Sequence, residues 1–175
     1  MISSYPIQPV TFENVAISEG FWAERLETNR HSTLPACFRK CEETGRIHNF
    51  EVAGGLKKGG FQGIFFNDSD VFKIVEGAAY SRAMRPDPEL ESYVDDLIAK
   101  FAAAQEEDGY LYTARTIGDP EYNYPGKEGR WSHCKDGHEL YNVGHMYEGA
   151  VAHYQATGKR NFLDVAIKSA DLVCE

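Results

Sequence analysis

The sequence has few basic residues, and they form no cluster. Its 175 residues include 18 lysines and arginines against 27 aspartates and glutamates, which gives a formal net charge of −9. A surface that binds nucleic acid needs clustered Lys and Arg side chains to displace the counterions of the phosphates. The composition therefore argues against nucleic acid as a partner.

Long apolar runs are also missing. The apolar stretches are far shorter than the roughly 20 residues that a membrane-spanning helix needs, so we expect no contact with a membrane. The opening Met1–Pro6 has neither the basic nor the apolar region of a secretory leader. These features predict a cytoplasmic location, with a removed leader as the alternative.

Several catalytic and metal-binding motifs are absent. The sequence has no GxSxG, Walker loop, Rossmann fingerprint or HExxH, so several enzyme classes lose support. Its four cysteines, Cys37, Cys41, Cys134 and Cys174, form no CxxC pair. Cys37 and Cys41 lie one helical turn apart and could contribute two metal ligands, but two buried thiols on one helix face are the favoured interpretation.

The first third of the chain predicts an extended lead-in followed by two helices. Residues 9–17 show the alternation of a strand. One helix is predicted at 21–30, and a second, restarted by Pro35, up to Gly45. Residues 46–63 contain five glycines and are predicted to be a loop of the kind that carries function. The lead-in residues expected to face inward are Val10, Phe12 and Val15.

Four helices predicted in the remainder form two similar hairpins. They are expected at about 69–84, 88–108, 136–157 and from 161 onward, with a long loop at 110–135. Glu76-Gly77-Ala78 recurs as Glu148-Gly149-Ala150, an offset of 72 at which the apolar positions also match. Repeated hairpins bury their faces by stacking, in a solenoid or a closed ring.

The third of these helices carries two kinds of side chain. His138 and His145 lie two turns apart on a side rich in neutral hydrogen-bonding groups and small residues. That side is typical of an inner helix facing the polar lumen of an α/α barrel, although a structural histidine bonded to a backbone carbonyl is the alternative. The predicted apolar side is Leu140, Val143, Gly144, Tyr147, Ala150, Val151 and Tyr154, and the predicted polar side is His138, Tyr141, Asn142, His145, Gly149 and Ala152.

Neutral His, Asn and Tyr side chains suit the hydroxyls of a sugar. The tyrosines of the 110–135 loop could stack on a sugar ring or simply pack the loop down. Cleavage of a glycosidic bond usually needs a pair of carboxylates, but no pair stands out. The candidates are Asp68, Asp70, Glu139 and Glu148, and the first three are explained equally well as helix caps.

Several segments together resemble glycoside hydrolase family 127, the β-L-arabinofuranosidase family. The resemblance runs in order through nearly all of the chain. Its segments are Phe21-Trp22, Gly60 to Lys73 with the core Asn67-Asp68-Ser69-Asp70-Val71, Arg85 to Leu90, Gln105 to Leu111, and Gly137-His138-Glu139-Leu140-Tyr141 with Gly144-His145. The family's catalytic domain is an (α/α)6 barrel in much longer chains, so the resemblance implies that residues 1–175 are the N-terminal portion of such a barrel, all-α with a short extended N-terminal segment.

The resemblance also implies a retaining glycosidase with a zinc-held cysteine nucleophile and a separate glutamate acid/base. Those residues are expected downstream, and none of the four cysteines lies in a matching motif. We therefore predict no catalytic residue, zinc ligand or other cofactor within this chain. His138 corresponds to the histidine that contacts arabinofuranose, and Asn49 is the nearest match to an amide that reaches the sugar. Tyr141 and His145, on the same side of the helix as His138, complete the predicted carbohydrate-binding set.

Two other functions stay open. One is another helical-barrel sugar enzyme, such as an N-acylglucosamine epimerase-like isomerase or an unsaturated uronyl hydrolase. The other is a non-catalytic module that binds a sugar or a partner. Two hairpins cannot close a six-hairpin ring, so an apolar edge should be exposed. We expect self-association or pairing with the remainder of the barrel at that edge, and no hydrolysis by residues 1–175 alone.

Overall fold

The computed structural model of the protein describes residues 7–175, so Met1–Pro6, on which the predicted absence of a leader rests, lie outside the described part. Within that part the chain is helical and has no β-strand, which confirms the all-α prediction. A single 3-10 turn at Phe12–Asn14 precedes the helices, which are α1 (Gly20–Thr28), α2 (Leu34–Glu43), α3 (Arg46–Ala53), α4 (Asp68–Met84), α5 (Pro88–Ala104), α6 (Thr113–Ile117), α7 (Glu139–Thr157) and α8 (Asn161–Cys174).

The N-terminal segment lies mostly on the surface. Phe12 packs edge-on against Tyr80 of α4, with ring centroids 4.9 Å apart. Val10 and Val15, which were predicted to face inward as well, are exposed. The prediction was wrong for these two residues because, without a neighbouring strand, an extended segment has no sheet face to bury.

α1 and α2 form one continuous helical run, where the sequence predicted a break before Pro35. They are joined by a wide turn at Asn29–Thr33, in which the N–H of Leu34 donates to the carbonyl of Asn29, five residues earlier. Proline in a helix clashes with the carbonyl four residues before it and lacks an N–H. A wide turn just before Pro35 relieves that clash, so the helix bulges and continues.

α3 lies where a loop was predicted for residues 46–63, so that prediction was wrong for its first half. Gly45 begins the helix with a left-handed backbone, φ 77°. Ile47 and Phe50 are fully buried and fasten α3 to the core. Five glycines in the window obscured this short apolar pattern, although they lie at or after the end of the helix.

The two predicted hairpins are present, and they stand side by side. Ser69 contacts Asn142 at the N-terminal ends of α4 and α7, and Arg82 contacts the carbonyl of Ala156 near their C-terminal ends, so these helices are parallel. Gly149 lets them approach closely, since a Cβ there would lie 3.0 Å from the carbonyl oxygen of Phe72. α5 and α8 form a second, outer layer, in which Lys159 and Asn161 bind Asp95. The sequence offset of 72 therefore corresponds to lateral packing of repeats.

The two sides predicted for α7 are partly wrong. Leu140, Val151 and Tyr154 were placed on the apolar side, but 48%, 45% and 40% of their surfaces are exposed. Asn142, Gly149 and Ala152 were placed on the polar side and are buried. An inner helix is covered on one flank by its parallel neighbour α4, and small residues line that flank. The exposed apolar residues lie on the opposite flank.

Candidate functional site

The N-terminal ends of α4 and α7 carry most of the candidate residues. Ser69 in the first turn of α4 donates its backbone N–H to Asn142 Oδ1 at 2.8 Å. Asn142 Nδ2 donates to the carbonyl of His138 at 3.0 Å. This single buried amide joins the starts of both helices and fixes the position of His138 relative to α4.

His138 immediately precedes α7, and its backbone is left-handed, with φ 59°. Among the non-glycine residues of 7–175, only Trp131 shares this conformation. Such a backbone costs on the order of 1–3 kcal/mol and persists where surrounding contacts hold it, often at functional sites. The conformation of His138 therefore marks this position as one that the fold holds in place.

The His138 ring is held at two points. It stacks on Phe66, with centroids 4.4 Å apart and planes inclined by 19°. Its Nδ1 lies 2.6 Å from the carbonyl oxygen of Asp136. Because a carbonyl oxygen only accepts, Nδ1 carries the proton, and Nε2 of the neutral ring is left as an acceptor. The half-buried imidazole thus presents one defined acceptor.

Tyr141 and His145 continue this surface along α7. The Tyr141 ring is edge-on to both imidazoles, 5.7 Å from His138 and 4.6 Å from His145 between centroids. Lys73 of α4 donates to the Tyr141 hydroxyl at 2.6 Å, and His145 Nδ1 lies 3.1 Å from Glu148 Oε2. The structure thus brings together three of the four residues predicted to bind a sugar.

Asn49, the fourth, lies on α3, a different helix from the other three. Its side chain is fully buried in α3, where Oδ1 accepts from the N–H of Gln62 and Nδ2 donates to the Gln62 carbonyl, both at 2.9 Å. Nδ2 also lies 3.3 Å from Asn67 Oδ1. Both polar atoms of the amide are therefore occupied. These bonds make Asn49 an anchor of the loop at Gln62, and the sugar contact expected from the sequence stays a prediction.

Phe66 and Lys73 were missed as site residues. Both lie in the segment that carries the family resemblance, where only the carboxylates were considered as candidates. Lys73 follows Ser69 by one helical turn, and its Nζ lies 3.4 Å from the Ser69 hydroxyl. A lysine one helical turn after Ser69, in the segment that carries the resemblance, was the available signal for Lys73. No sequence signal separates Phe66 from the neighbouring Phe65.

The candidate carboxylates serve mainly structural roles. Asp68 is fully buried and binds the N–H and hydroxyl of Thr113 at 2.8 and 2.5 Å. Burial raises the pKa of Asp68 to about 6, against the opposing effect of its bonds to Thr113. Asp70 pairs with Arg46 at 2.7 Å. The other two are Glu139, which is buried and bonded to Tyr110 and Trp131, and Glu148, which is exposed beside His145.

The described residues do not fit a zinc site. No group of three His, Cys, Asp or Glu side chains in 7–175 is placed to hold a metal ion. Burial raises the pKa of the Cys41 thiol to about 11, whereas zinc binds the thiolate. We therefore derive no zinc chemistry from Cys37 and Cys41. In the same part of the chain, no helix has the length and apolar character needed to cross a bilayer.

The fold and the site together define the class of protein. Hairpins with parallel inner helices and an outer helical layer form part of an (α/α)6 barrel. An imidazole acceptor, a phenol and aromatic faces at the start of an inner helix can bind a polyhydroxylated ligand. The model of one family, described as beta-L-arabinofuranosidase, GH127 catalytic domain, matches residues 14–175. The chain belongs to this family.

Three relatives illustrate the match. A non-reducing end beta-L-arabinofuranosidase of Bifidobacterium longum subsp. longum is 34% identical over 177 residues, 90% of this chain and 26% of that protein. A GH127 beta-arabinofuranosidase structure has a TM-score of 0.88 at 52% identity, covering 97% of this chain and 27% of its own. A GH127 beta-L-arabinofuranosidase from Geobacillus stearothermophilus T6 has a TM-score of 0.84 at 40% identity, covering 91% and 25%. The chain spans about a quarter of the length of these relatives.

Proposed function

We propose that this chain supplies part of the sugar-binding lumen of a glycoside hydrolase that releases L-arabinofuranose from plant-type glycans. The observation that carries the proposal is the His138 ring, held by Phe66 and the Asp136 carbonyl so that Nε2 is a fixed acceptor. The identity of the sugar is inferred from the names of the similar proteins, which are beta-L-arabinofuranosidases. The hydroxyls of a furanose are the donors that such an acceptor requires.

The arrangement of the three polar residues supports a neutral sugar as the ligand. His138 and His145 are separated by seven residues, about 10 Å along a helix, with Tyr141 between them. This length is comparable to one sugar ring and the start of its linkage. The rings of Phe66 and Tyr141 border His138 and add apolar surface beside it, against which part of the sugar can pack.

Replacement of His138 by alanine in the full-length gene product should lower kcat/KM for an aryl β-L-arabinofuranoside by roughly 10- to 100-fold. The expected loss corresponds to about 1–3 kcal/mol, the usual cost of leaving a buried polar partner unpaired. Steady-state kinetics measures it. His31→Ala is the matched control, since His31 is exposed on the N-terminal helical run and pairs with Glu27. Unchanged kinetics for His138→Ala would remove this residue from the site.

The exposed flank of α7 and α8 is where we propose that the remainder of a barrel packs. Val151 lies at the repeat offset from Ala79, the α4 residue that packs in one cluster with Ala152 of α7. A further inner helix that packed on this flank would therefore contact α7 in the way that α7 contacts α4. Its exposed apolar residues are Leu140, Val151 and Tyr154 of α7 and Ile167 and Val173 of α8.

Residues 1–175 alone are expected to hydrolyse no aryl β-L-arabinofuranoside. Of the four candidate carboxylates, Asp68, Asp70 and Glu139 hold structural contacts, and cleavage needs an acid and a nucleophile or base. Release of the aryl group by the purified chain, at high enzyme concentration, is the measurement. Turnover that disappears in His138→Ala would contradict the expectation and place the catalytic groups within these residues.

A further inference from the structure

We propose that Tyr110 and Tyr112 are positioning residues that clamp the two neighbours of His138, the backbone of Gly137 and the side chain of Glu139, and so aim its imidazole. The clamp itself stands on geometry alone. Its consequence for catalysis rests on the proposed function, in which His138 contacts the sugar. Neither tyrosine lies at the sugar-binding surface, so both would act through His138.

The two tyrosines reach the two neighbours of His138. Tyr110 and Tyr112 lie on an extended stretch just before α6, two residues apart, so their side chains point to the same side. The Tyr112 hydroxyl donates to the carbonyl of Gly137 at 2.7 Å. The Tyr110 hydroxyl donates to Glu139 Oε1 at 2.5 Å. The residue held between these two bonds is His138.

Glu139 extends the clamp to the preceding loop. Its second oxygen, Oε2, accepts from the backbone N–H of Trp131 at 2.9 Å. Trp131 and His138 are the two non-glycine residues with a positive φ in the described part of the chain. The Glu139 carboxylate, directly after His138, is bonded to the backbone of Trp131. Glu139 therefore holds the start of the segment 131–138 at the first residue of α7, which follows the end of that segment.

Gly137 leaves little freedom for the clamped peptide. A Cβ at this position would lie 2.8 Å from the carbonyl oxygen of His133 and 3.1 Å from that of Pro125. The peptide between Gly137 and His138 is therefore wedged against the loop on one side and bonded to Tyr112 on the other. Because the backbone is fixed, the hydrogen bond between His138 Nδ1 and the Asp136 carbonyl determines the orientation of the imidazole ring.

Both phenols are suited to permanent donation. Each is buried, with 1% of its surface exposed. Burial raises the pKa of both phenols above the usual range, and the Glu139 carboxylate raises that of Tyr110 further. The hydroxyls therefore keep their protons across the range in which proteins work. The clamp does not loosen by ionisation of its donors.

The test compares Tyr112→Phe and Tyr110→Phe with the unchanged protein. Each substitution keeps the ring and removes one hydroxyl, and circular dichroism checks that each variant retains the fold. The first readout is the ¹⁵N NMR signal of the His138 ring, assigned with His138→Gln. The unchanged protein should show a protonated Nδ1 and a bare Nε2. Each variant should shift both signals toward the average of two tautomers.

The second readout is the turnover of an aryl β-L-arabinofuranoside by the full-length gene product. Misaiming the imidazole should lower kcat/KM by roughly 10- to 100-fold. Tyr93→Phe is the control, because Tyr93 lies on the outer helix α5, where its hydroxyl donates to Glu42 of α2 at 2.8 Å. It should leave both readouts unchanged.

The two readouts separate the clamp from the function it serves. Ring signals that stay the same in both variants would overturn the clamp. Shifted signals with reduced turnover support the whole proposal. Shifted signals with full turnover support the clamp and count against His138 as a sugar contact.

Discussion

Replacing Phe101 by alanine should lower the free energy of unfolding by about 3–5 kcal/mol, the usual cost of removing a buried aromatic ring from a packed core. Phe101 is fully buried in α5. Its ring lies 4.6 Å from that of Phe50, 5.1 Å from Phe72 and 5.3 Å from Phe162. These partners come from α3, α4 and α8, so a cavity here weakens contacts across the whole described fold. Urea unfolding followed by circular dichroism measures the loss.

Two further variants make the Phe101 result specific. Phe101→Leu leaves a smaller cavity and should cost clearly less than alanine. Phe21→Ala removes an aromatic ring that is 61% exposed and should change stability by no more than about 0.5 kcal/mol. Equal losses for Phe101→Ala and Phe21→Ala would show that α5 does not join the two hairpins through this ring.

The four long helices could be predicted because their apolar residues repeat at helical spacing and their ends carry clear signals. Asp87 caps α5 as expected, accepting from the N–H of Leu90 at 3.1 Å, and Pro88 follows it. The repeat offset was informative because the equivalent apolar positions of both hairpins pack in the same way. The spacing of apolar residues reports local structure, so it was sufficient to predict the helices of both hairpins and their order in the chain.

Long-range contacts are what periodicity could not supply. Asn142 looked like part of a polar lumen face, but it is buried because it binds Ser69, 73 residues away in the chain. Val151 looked buried because it is apolar, yet it is exposed on the flank away from α4. A helix in a repeat array has two flanks as well as an inside and an outside, and the sequence of one helix does not say which flank is covered.

The candidate site was predictable only in part, for a related reason. His138, Tyr141 and His145 share one helix, so their proximity follows from spacing. The left-handed backbone of His138 does not follow from any local rule, since a histidine rarely adopts it without support. That support comes from Tyr110 and Tyr112, in a segment whose tyrosines were expected to stack on a sugar or to pack the loop.

Asp68→Asn should make the protein more stable than the unchanged chain at pH 7.5, by up to about 3 kcal/mol, and equally stable near pH 4. Burial raises the pKa of Asp68 from 3.8 to about 6, and each tenfold change in a proton-binding constant corresponds to about 1.4 kcal/mol. The side chain is fully buried, so solvent screening does not reduce this figure. Urea unfolding of both proteins between pH 4 and pH 7.5 measures the difference.

The sign follows from where the proton is held. Well below pH 3.8 the carboxyl is neutral in both states, so its contribution to stability is fully present. As the pH rises, the unfolded chain releases this proton first, and the folded chain keeps it until about pH 6. The contribution is therefore lost across this window as the pH increases. Asparagine does not ionise, so the Asp68→Asn variant loses no stability through this side chain as the pH rises.

The substituted amide should preserve the contacts to Thr113. In the neutral acid, one oxygen accepts from the Thr113 N–H and the other can donate its proton to the Thr113 hydroxyl, and the Asn amide offers the same acceptor and donor. Asp68→Ala is the contrasting variant, because it leaves both Thr113 groups buried and unpaired, at a cost of about 1–3 kcal/mol even at pH 4. If Asp68→Asn were instead less stable than the unchanged chain at pH 7.5, the ionised carboxylate and its two bonds would outweigh the cost of burying its charge.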